Sequence, residues 1–349
     1  MRVSVSLPTF TGSIYALLAI SFVFNLSWFS VQQPVLKYIP FILLLAVTLL
    51  NRTIYLRIAL SRKSLSSWLF VLIVSIYNPL FGASLATSLA TIISLYVNLR
   101  YAKLFCFSLI VTLTLWLLLV KIGSIPSDLI EIDQLGRYRY SLGFNYSTTY
   151  SYLVVSALFL SAICSSNFLM LASMFLSCVA YLETSTRLSL ILSVFILAFV
   201  FLGRIRRMAP SIFLRALGNR YLQVTLIFFF VALGVISLER FAGGDFDFFI
   251  SGRIVQSLSI EPTVAFFRNS PAVNDILPLN LFYFGGISLL SLFLLLYYRN
   301  ALKVFSPPYL LFLLFLLSPL VDSGETNFSV LTGFFMLPYW LLPVPTNKY

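Results

Sequence analysis

The chain has 349 residues, 60% of them hydrophobic and only 10% charged, with a formal net charge of +12 and a mean hydropathy of +0.98. A soluble protein needs roughly a quarter of its residues charged to cover its surface, so a soluble fold is excluded and most of the surface must face lipid. Histidine is absent, which removes every mechanism that needs an imidazole base or ligand, the Ser-His-Asp triad included.

In chain order, apolar runs recur that are long enough to cross a hydrocarbon core of about 30 Å, at about 1.5 Å per helical residue. Arg2 precedes a run from about Phe10 to Phe29. That run is longer than a signal-peptide core and lacks a small-residue cleavage site, so it is the first expected span. The runs predict spans over 10–30, 38–51, 67–80, 83–99, 104–120, 147–164, 168–182, 188–203, 221–238, 279–298, 306–320 and 328–343. Around Tyr77-Asn78-Pro79-Leu80-Phe81-Gly82 both arms are short, and a re-entrant hairpin fits nearly as well. Strand-like alternation is not sustained, so helices must satisfy the backbone hydrogen bonds in lipid. The expected fold is an all-α polytopic membrane protein of about twelve transmembrane helices, a single transmembrane domain over 1–349. Cys106, Cys164 and Cys178 fall in expected spans without CxxC or metal-ligand spacing, as small buried apolar residues do.

Charge supplies the orientation. With the N-terminus cytoplasmic, 15 of the 23 basic residues fall on the inner side, among them Arg52, Arg57, Arg100, Lys103 and the run from Arg204 to Arg220. All 11 acidic residues, from Asp128 to Glu325, fall on the outer side. The positive-inside rule then places both termini in the cytoplasm. The positive charge is a topology signal, and no nucleic-acid partner is expected despite a pI near 9.7.

Two outer loops are long, approximately 121–146 and 239–278, and both mix charges with aromatics. Residues 247–258 suit a short helix lying in the interface. Four polar clusters converge on the outer face: Arg137 to Asn145, Glu183-Thr184-Ser185-Thr186-Arg187, Glu239-Arg240 with Ser251-Gly252-Arg253, and Asp322 to Asn327.

Each cluster has a plain reading beside the functional one. Arg187 stands where a span meets the interface. It either snorkels or pairs with Glu183 four residues earlier, neutralising both, or it forms an anion site, since its guanidinium fork matches phosphate and keeps its proton. Arg137 and Arg139 alternate with tyrosines, and either anchor the loop or bind ligand. Arg253 divides in the same way. Asp322 and Glu325 supply a general base or cap a helix end. Asp245-Phe246-Asp247 is a weak metal pattern that a solvated acidic loop explains better, so no metal or other cofactor is expected. Outer arginines and aromatic loops suit a substrate with a pyrophosphate at the membrane surface and sugars outside, the arginines stabilising the departing pyrophosphate.

Four short motifs resemble one family. Arg139-Tyr140-Ser141-Leu142-Gly143-Phe144-Asn145 is similar to an Arg-x-x-x-Gly-Phe segment, although Tyr146-Ser147 follows where the family has Pro-Asn. Thr184-Ser185-Thr186-Arg187 is similar to a Thr-x-Ser-Arg segment with one residue of slack, Ser251-Gly252-Arg253-Ile254 to a Ser-Gly-Arg, and Gly324-Glu325-Thr326 to a Thr-Glu-Ser. In that order and on that side of the membrane, they resemble the Wzy-type O-antigen polymerases and their relatives the O-antigen ligases.

The resemblance implies a GT-C-like inverting glycosyltransferase in the bacterial inner membrane, working at its periplasmic face. It would move a growing glycan from undecaprenyl pyrophosphate onto a lipid-linked repeat unit, with membrane lipid and a chain-length regulator as further partners. Arg187 and Arg253 would be catalytic, with Glu183 or Glu325 as base. Arg137, Arg139, Asn145 and Arg240 would bind substrate. The ligase branch relies on an outer-loop histidine that this chain lacks, which favours the polymerase. A lipid-linked oligosaccharide flippase is the rival from another class. It should carry buried charges within spans and short loops, and the spans here are nearly free of charge.

Overall fold

The computed structural model describes residues 7–60, 62–77, 86–87, 89–91, 93–95, 99–132, 138–144, 147–164 and 166–184, with single positions at 190, 193, 194, 197, 221, 222 and 225. The chain divides into two compact units: Met1–Ser61 with Ala90–Leu197, and Arg62–Leu89 with Ala198–Tyr349. The expected spans from 279 onwards, most of 188–203 and 221–238, and about half of 83–99 lie outside the described residues.

In the first unit the helices are α1 (Leu7–Leu26), α2 (Phe29–Gln32), a 3-10 turn (Pro34–Lys37), α3 (Ile39–Leu50) and α4 (Arg52–Ala59). The second unit contributes α5 (Arg62–Tyr77), which exposes the apolar positions Leu65, Leu69, Leu72 and Ile76. The first unit resumes with α6 (Leu99–Lys121), strands β1 (Leu129–Ile132) and β2 (Tyr138–Tyr140), α7 (Ser147–Ile163) and α8 (Asn167–Thr184). Helices α1, α3, α5, α6, α7 and α8 overlap expected spans.

What makes these helices unlike those of a soluble protein is the composition of their two faces. On α1, Tyr15, Leu18, Ala19, Phe22 and Val23 are buried at i, i+3, i+4, i+7 and i+8, while Phe10, Leu17 and Phe24 are exposed. On α6 the inward residues include Phe105, Cys106, Leu109, Leu113 and Trp116, and the outward ones Phe107, Val111, Leu115 and Leu118. On α8 the inward face combines Leu169, Met170 and Leu176 with the smaller Ser173, Ser177, Ala180 and Thr184, while Phe168, Leu171, Phe175 and Leu182 face outward. Large apolar side chains on the outward faces suit lipid, and the small residues among those buried on α8 let its backbone approach its neighbours.

Several interior hydroxyls bond within their own helices, Ser21 to Leu18 O at 2.8 Å, Ser161 to Leu158 O at 2.6 Å and Thr184 to Ala180 O at 2.6 Å, whereas Ser173 Oγ is buried with no hydrogen-bond partner among the described residues. Such bonds to the preceding turn satisfy a hydroxyl that has no water nearby. Across helices, Ser193 Oγ donates to Ser177 Oγ at 2.6 Å, and Ser151 and Thr184 hydroxyls meet at 3.4 Å.

Helix directions follow from side-chain pairs. Tyr15 stacks on Tyr101 with centroids 5.0 Å apart, Phe22 meets Phe105 at 6.2 Å, and Phe24 meets Trp116 at 5.4 Å, so α1 and α6 run the same way. Tyr150 OH donates to Leu113 O and Cys106 Sγ to Ala157 O, both at 3.3 Å, so α7 runs back along α6. Helix α8 returns along α7. Consequently Arg52, Arg57, Arg100 and Lys103 sit at one end of this unit. The three acids among the described residues, Asp128, Glu131 and Glu183, sit at the other.

Among the described residues two helices, Arg100–Lys121 and Asn167–Thr184, are long and apolar enough to cross a membrane. A third candidate appears if α3 and α4, bent by 100°, count as one span. The helical core is therefore that of an α-helical membrane protein. The apolar stretches of α1 (Phe10–Leu26) and α7 (Thr149–Leu158) are shorter. Twelve residues of α3 reach only about 18 Å.

One feature departs from the expected all-α fold. The loop expected over 121–146 contains β1 and β2, paired antiparallel with Leu129 opposite Tyr140, Glu131 opposite Arg139 and Ile132 opposite Tyr138, and an irregularity between Leu129 and Glu131. Branched and aromatic residues favour the extended backbone here, while strands of four and three residues are too short to show a period in the sequence.

Candidate functional site

The outer end of the first unit is built where α6 stops. Gly123 has φ +81, Ser124 N–H donates to Leu119 O at 2.9 Å and Gly123 N–H to Val120 O at 3.0 Å. This is a Schellman ending, which calls for glycine at the left-handed position. The chain then crosses to β1 and returns along β2, which packs against α8.

After β2, Ser141-Leu142-Gly143-Phe144 turns sharply. Leu142 has φ +49 and Gly143 φ +78, and Phe144 N–H donates to Ser141 O at 3.0 Å. Two positive φ angles in succession are the demand of a type I′ turn. Leucine in the left-handed region costs about 1–2 kcal/mol, so the surroundings must hold it there.

They do so through every nearby backbone group. Trp116 Nε1 donates to Leu142 O at 2.8 Å, and Leu142 N–H donates to Ser127 Oγ at 3.2 Å. Ser141 Oγ accepts from Asp128 N at 3.0 Å and from Gly143 N at 3.3 Å, while Ser141 N–H donates to Asp128 O at 2.9 Å. Trp28 N–H donates to Gly143 O at 3.2 Å, and Ser27 pairs with Phe144 as an isolated bridge. The turn is thus fastened to α6, to the end of α1 and to the strand leading into the hairpin.

Packing completes the hold. Leu142 and Phe144 are each 2% exposed. Phe144 lies against Trp116 (5.2 Å) and Tyr150 (6.2 Å), and Trp116 meets Phe29 edge-on at 5.9 Å. A side chain on Gly143 would collide with Ile125 and press on the Trp116 indole at 3.3 Å. Trp28 stacks on Phe29 at 4.8 Å, and its Nε1 is buried with no hydrogen-bond partner among the described residues.

Two of the eight expected site residues are described. Arg139 stands in the middle of β2, with Glu131 opposite it in the register. Glu183 stands in the last turn of α8, where Lys121 Nζ lies 2.6 Å from its Oε2. The segments carrying Arg139 and Glu183 are therefore brought to one end of one unit from 44 residues apart in the chain. Arg137, Asn145, Arg187, Arg240, Arg253 and Glu325 lie outside the described residues.

The sequence reading missed Lys121, Trp116, Trp28 and Ser127. Lys121 carried a signal, being a cation at the outer end of a span and the first residue of the long loop. The Lys121–Glu183 pair is partly open, with side-chain exposures of 55% and 27%, and screening by solvent limits such a pair to about 0.2–1 kcal/mol. Among the described residues no group of three or more His, Cys, Asp or Glu could hold a metal ion.

No family model, curated protein or solved structure matches the chain. The functional reading therefore stands on the outer-end geometry and on the motifs themselves.

Proposed function

We propose that the chain is a polysaccharide polymerase of the Wzy type, a GT-C-like glycosyltransferase of about twelve spans in the bacterial inner membrane. Its site would face the periplasm. The observation that carries this reading is the strained, hydrogen-bonded turn at Ser141–Phe144, which in the sequence lies between Arg139 and Asn145. A non-glycine residue in the left-handed region persists only where its surroundings over-determine it, and such positions gather at binding and catalytic sites.

In the proposed reaction an acceptor sugar hydroxyl attacks the anomeric carbon of the donor glycan with inversion. The bond from that carbon to the pyrophosphate oxygen breaks, undecaprenyl pyrophosphate departs, and the hydroxyl proton passes to a carboxylate. Arg187 and Arg253 stabilise the charge that develops on the leaving pyrophosphate, as positioned donors do. Arg137, Arg139, Arg240 and Asn145 bind the lipid-linked sugars. Lys121 engages Glu183 at 2.6 Å, so Arg187 is not required to neutralise that acid and is assigned to the substrate. The base is Glu183 or Glu325, and Glu183→Gln compared with Glu325→Gln in the assay below separates the two.

The test complements cells that lack their own polymerase, and whose repeat unit matches, with wild-type chain or Arg187→Ala, and reads the length of the lipid-linked glycan on a gel. Wild-type restores a ladder and well-expressed Arg187→Ala leaves single repeats, a loss of at least about 100-fold in extension from one transition-state donor. Single repeats at the surface with wild-type chain would overturn the polymerase and favour a transporter.

A further inference from the structure

We propose that α4 is an amphipathic helix that lies in the membrane interface and binds anionic phospholipid headgroups through Arg52 and Arg57. The proposal rests on the helices crossing a membrane and is independent of the polymerase reading.

Helix α4 leaves α3 at 100°. The joint is Asn51, whose N–H and Nδ2 both donate to Val47 O, at 3.1 and 3.0 Å, while its own carbonyl accepts from Tyr55 N at 2.9 Å. The corner is thus hydrogen-bonded on both sides, and α4 lies roughly in the membrane plane if α3 runs across it.

The surface of α4 suits neither water nor hydrocarbon. Tyr55 and Ala59 are buried, and Ile54, Leu56 and Leu60 are half exposed or more. Arg52 and Arg57 are exposed, and among the described residues neither has an acidic partner. As a continuation of the span, α4 would carry two exposed guanidinium groups into lipid tails, which is strongly penalised. In bulk water it would leave three large aliphatic side chains wetted. At about 100° per residue, Ile54 and Ile58 lie on the side of the buried Tyr55 and Ala59, and Leu56 lies between Arg52 and Arg57. At the interface Ile54 and Ile58 therefore enter the acyl boundary while the arginines extend past Leu56 to the phosphates.

Length agrees with this depth. The twelve residues of α3 give about 18 Å against a core of about 30 Å. A helix lying about 5–10 Å inside the headgroup boundary recovers most of the difference.

Charge selects the lipid. Arg52, Arg57, Arg100 and Lys103 share this end of the unit, and the three acids among the described residues are all at the opposite end. The planar guanidinium matches a phosphate oxygen pair, so the partner is a lipid with net negative charge, such as phosphatidylglycerol.

The test uses the full-length protein with Thr53→Cys in a Cys178→Ala background, Cys106 and Cys164 being buried. An environment-sensitive fluorophore is attached at position 53, and the protein is reconstituted in phosphatidylcholine vesicles with or without phosphatidylglycerol. Lipids carrying a quencher near the headgroup should quench the label more than lipids carrying it near the chain end, and phosphatidylglycerol should shift the emission to the blue. With Arg52→Gln or Arg57→Gln added, the phosphatidylglycerol fraction at half-shift should rise about fivefold for each arginine, equivalent to about 1 kcal/mol per basic residue. Stronger quenching from the chain ends would make α4 a span, and no quenching would place it in water. Either result overturns the proposal, as does a half-shift unmoved by both arginine changes. The depth readout keeps both arginines, so it stands even if their replacement prevents folding.

Discussion

Gly143 shows how one position is fixed from two directions. Its φ of +78 is a conformation that side chains resist, and a Cβ would meet Ile125 and Trp116. Gly143→Ala combines about 1–2 kcal/mol of left-handed strain with about 1–3 kcal/mol of overpacking. Thermal unfolding in detergent should show a loss of about 2–5 kcal/mol, and a loss below about 0.5 kcal/mol would mean the turn is free to open. The Gly-Phe of the Arg139–Asn145 segment was legible as a motif. Its physical reason was not, because Trp116, which bonds Leu142 O, is 26 residues away.

At the scale of elements, the ends of α6 and α8 are joined by Lys121 and Glu183. A double-mutant cycle with Lys121→Ala and Glu183→Ala should give a coupling of about 0.2–1 kcal/mol that shrinks as salt is added. A coupling above about 2 kcal/mol would show the pair to be desolvated. The faces of α8 make a second expectation. Ser177 is fully buried beside Ser193, and Phe175 is 69% exposed. Ser177→Leu should destabilise the folded protein by about 1–3 kcal/mol through overpacking, and Phe175→Leu should stay within about 0.5 kcal/mol, as outward substitutions do. The reverse order of unfolding temperatures would mean that α8 presents the other face to its neighbours.

The positions of these helices were legible because apolar length is a local property. The expected 104–120 corresponds to α6, which begins at Leu99. It starts five residues earlier because Arg100 and Lys103, which end an apolar run in the sequence, remain helical. The short strands were not legible, nor was the 100° corner at Asn51, since both depend on partners that a linear pattern does not carry.

For the whole molecule, charge asymmetry makes a prediction that needs no ligand. A reporter active only in the cytoplasm should work when fused after Arg57 and fail after Asp128, and one active only in the periplasm should do the opposite. Identical signals from both fusions would remove the two-sided arrangement on which the outer site depends.

Composition pointed to the membrane, because 10% charge over 349 residues cannot cover a soluble surface. The length of the apolar runs pointed to helices, two or three of which among the described residues are long and apolar enough to cross it. The run of apolar segments determined where most of the described helices lie, because a helix closes its hydrogen bonds within itself. Which residues meet was decided by the tertiary structure. Lys121 finds Glu183 across 62 residues, and Tyr15 OH finds Ser94 O across 79. These pairings come from the direction and facing of packed helices, and the strained turn over Trp116 exists only because three separate segments close around it.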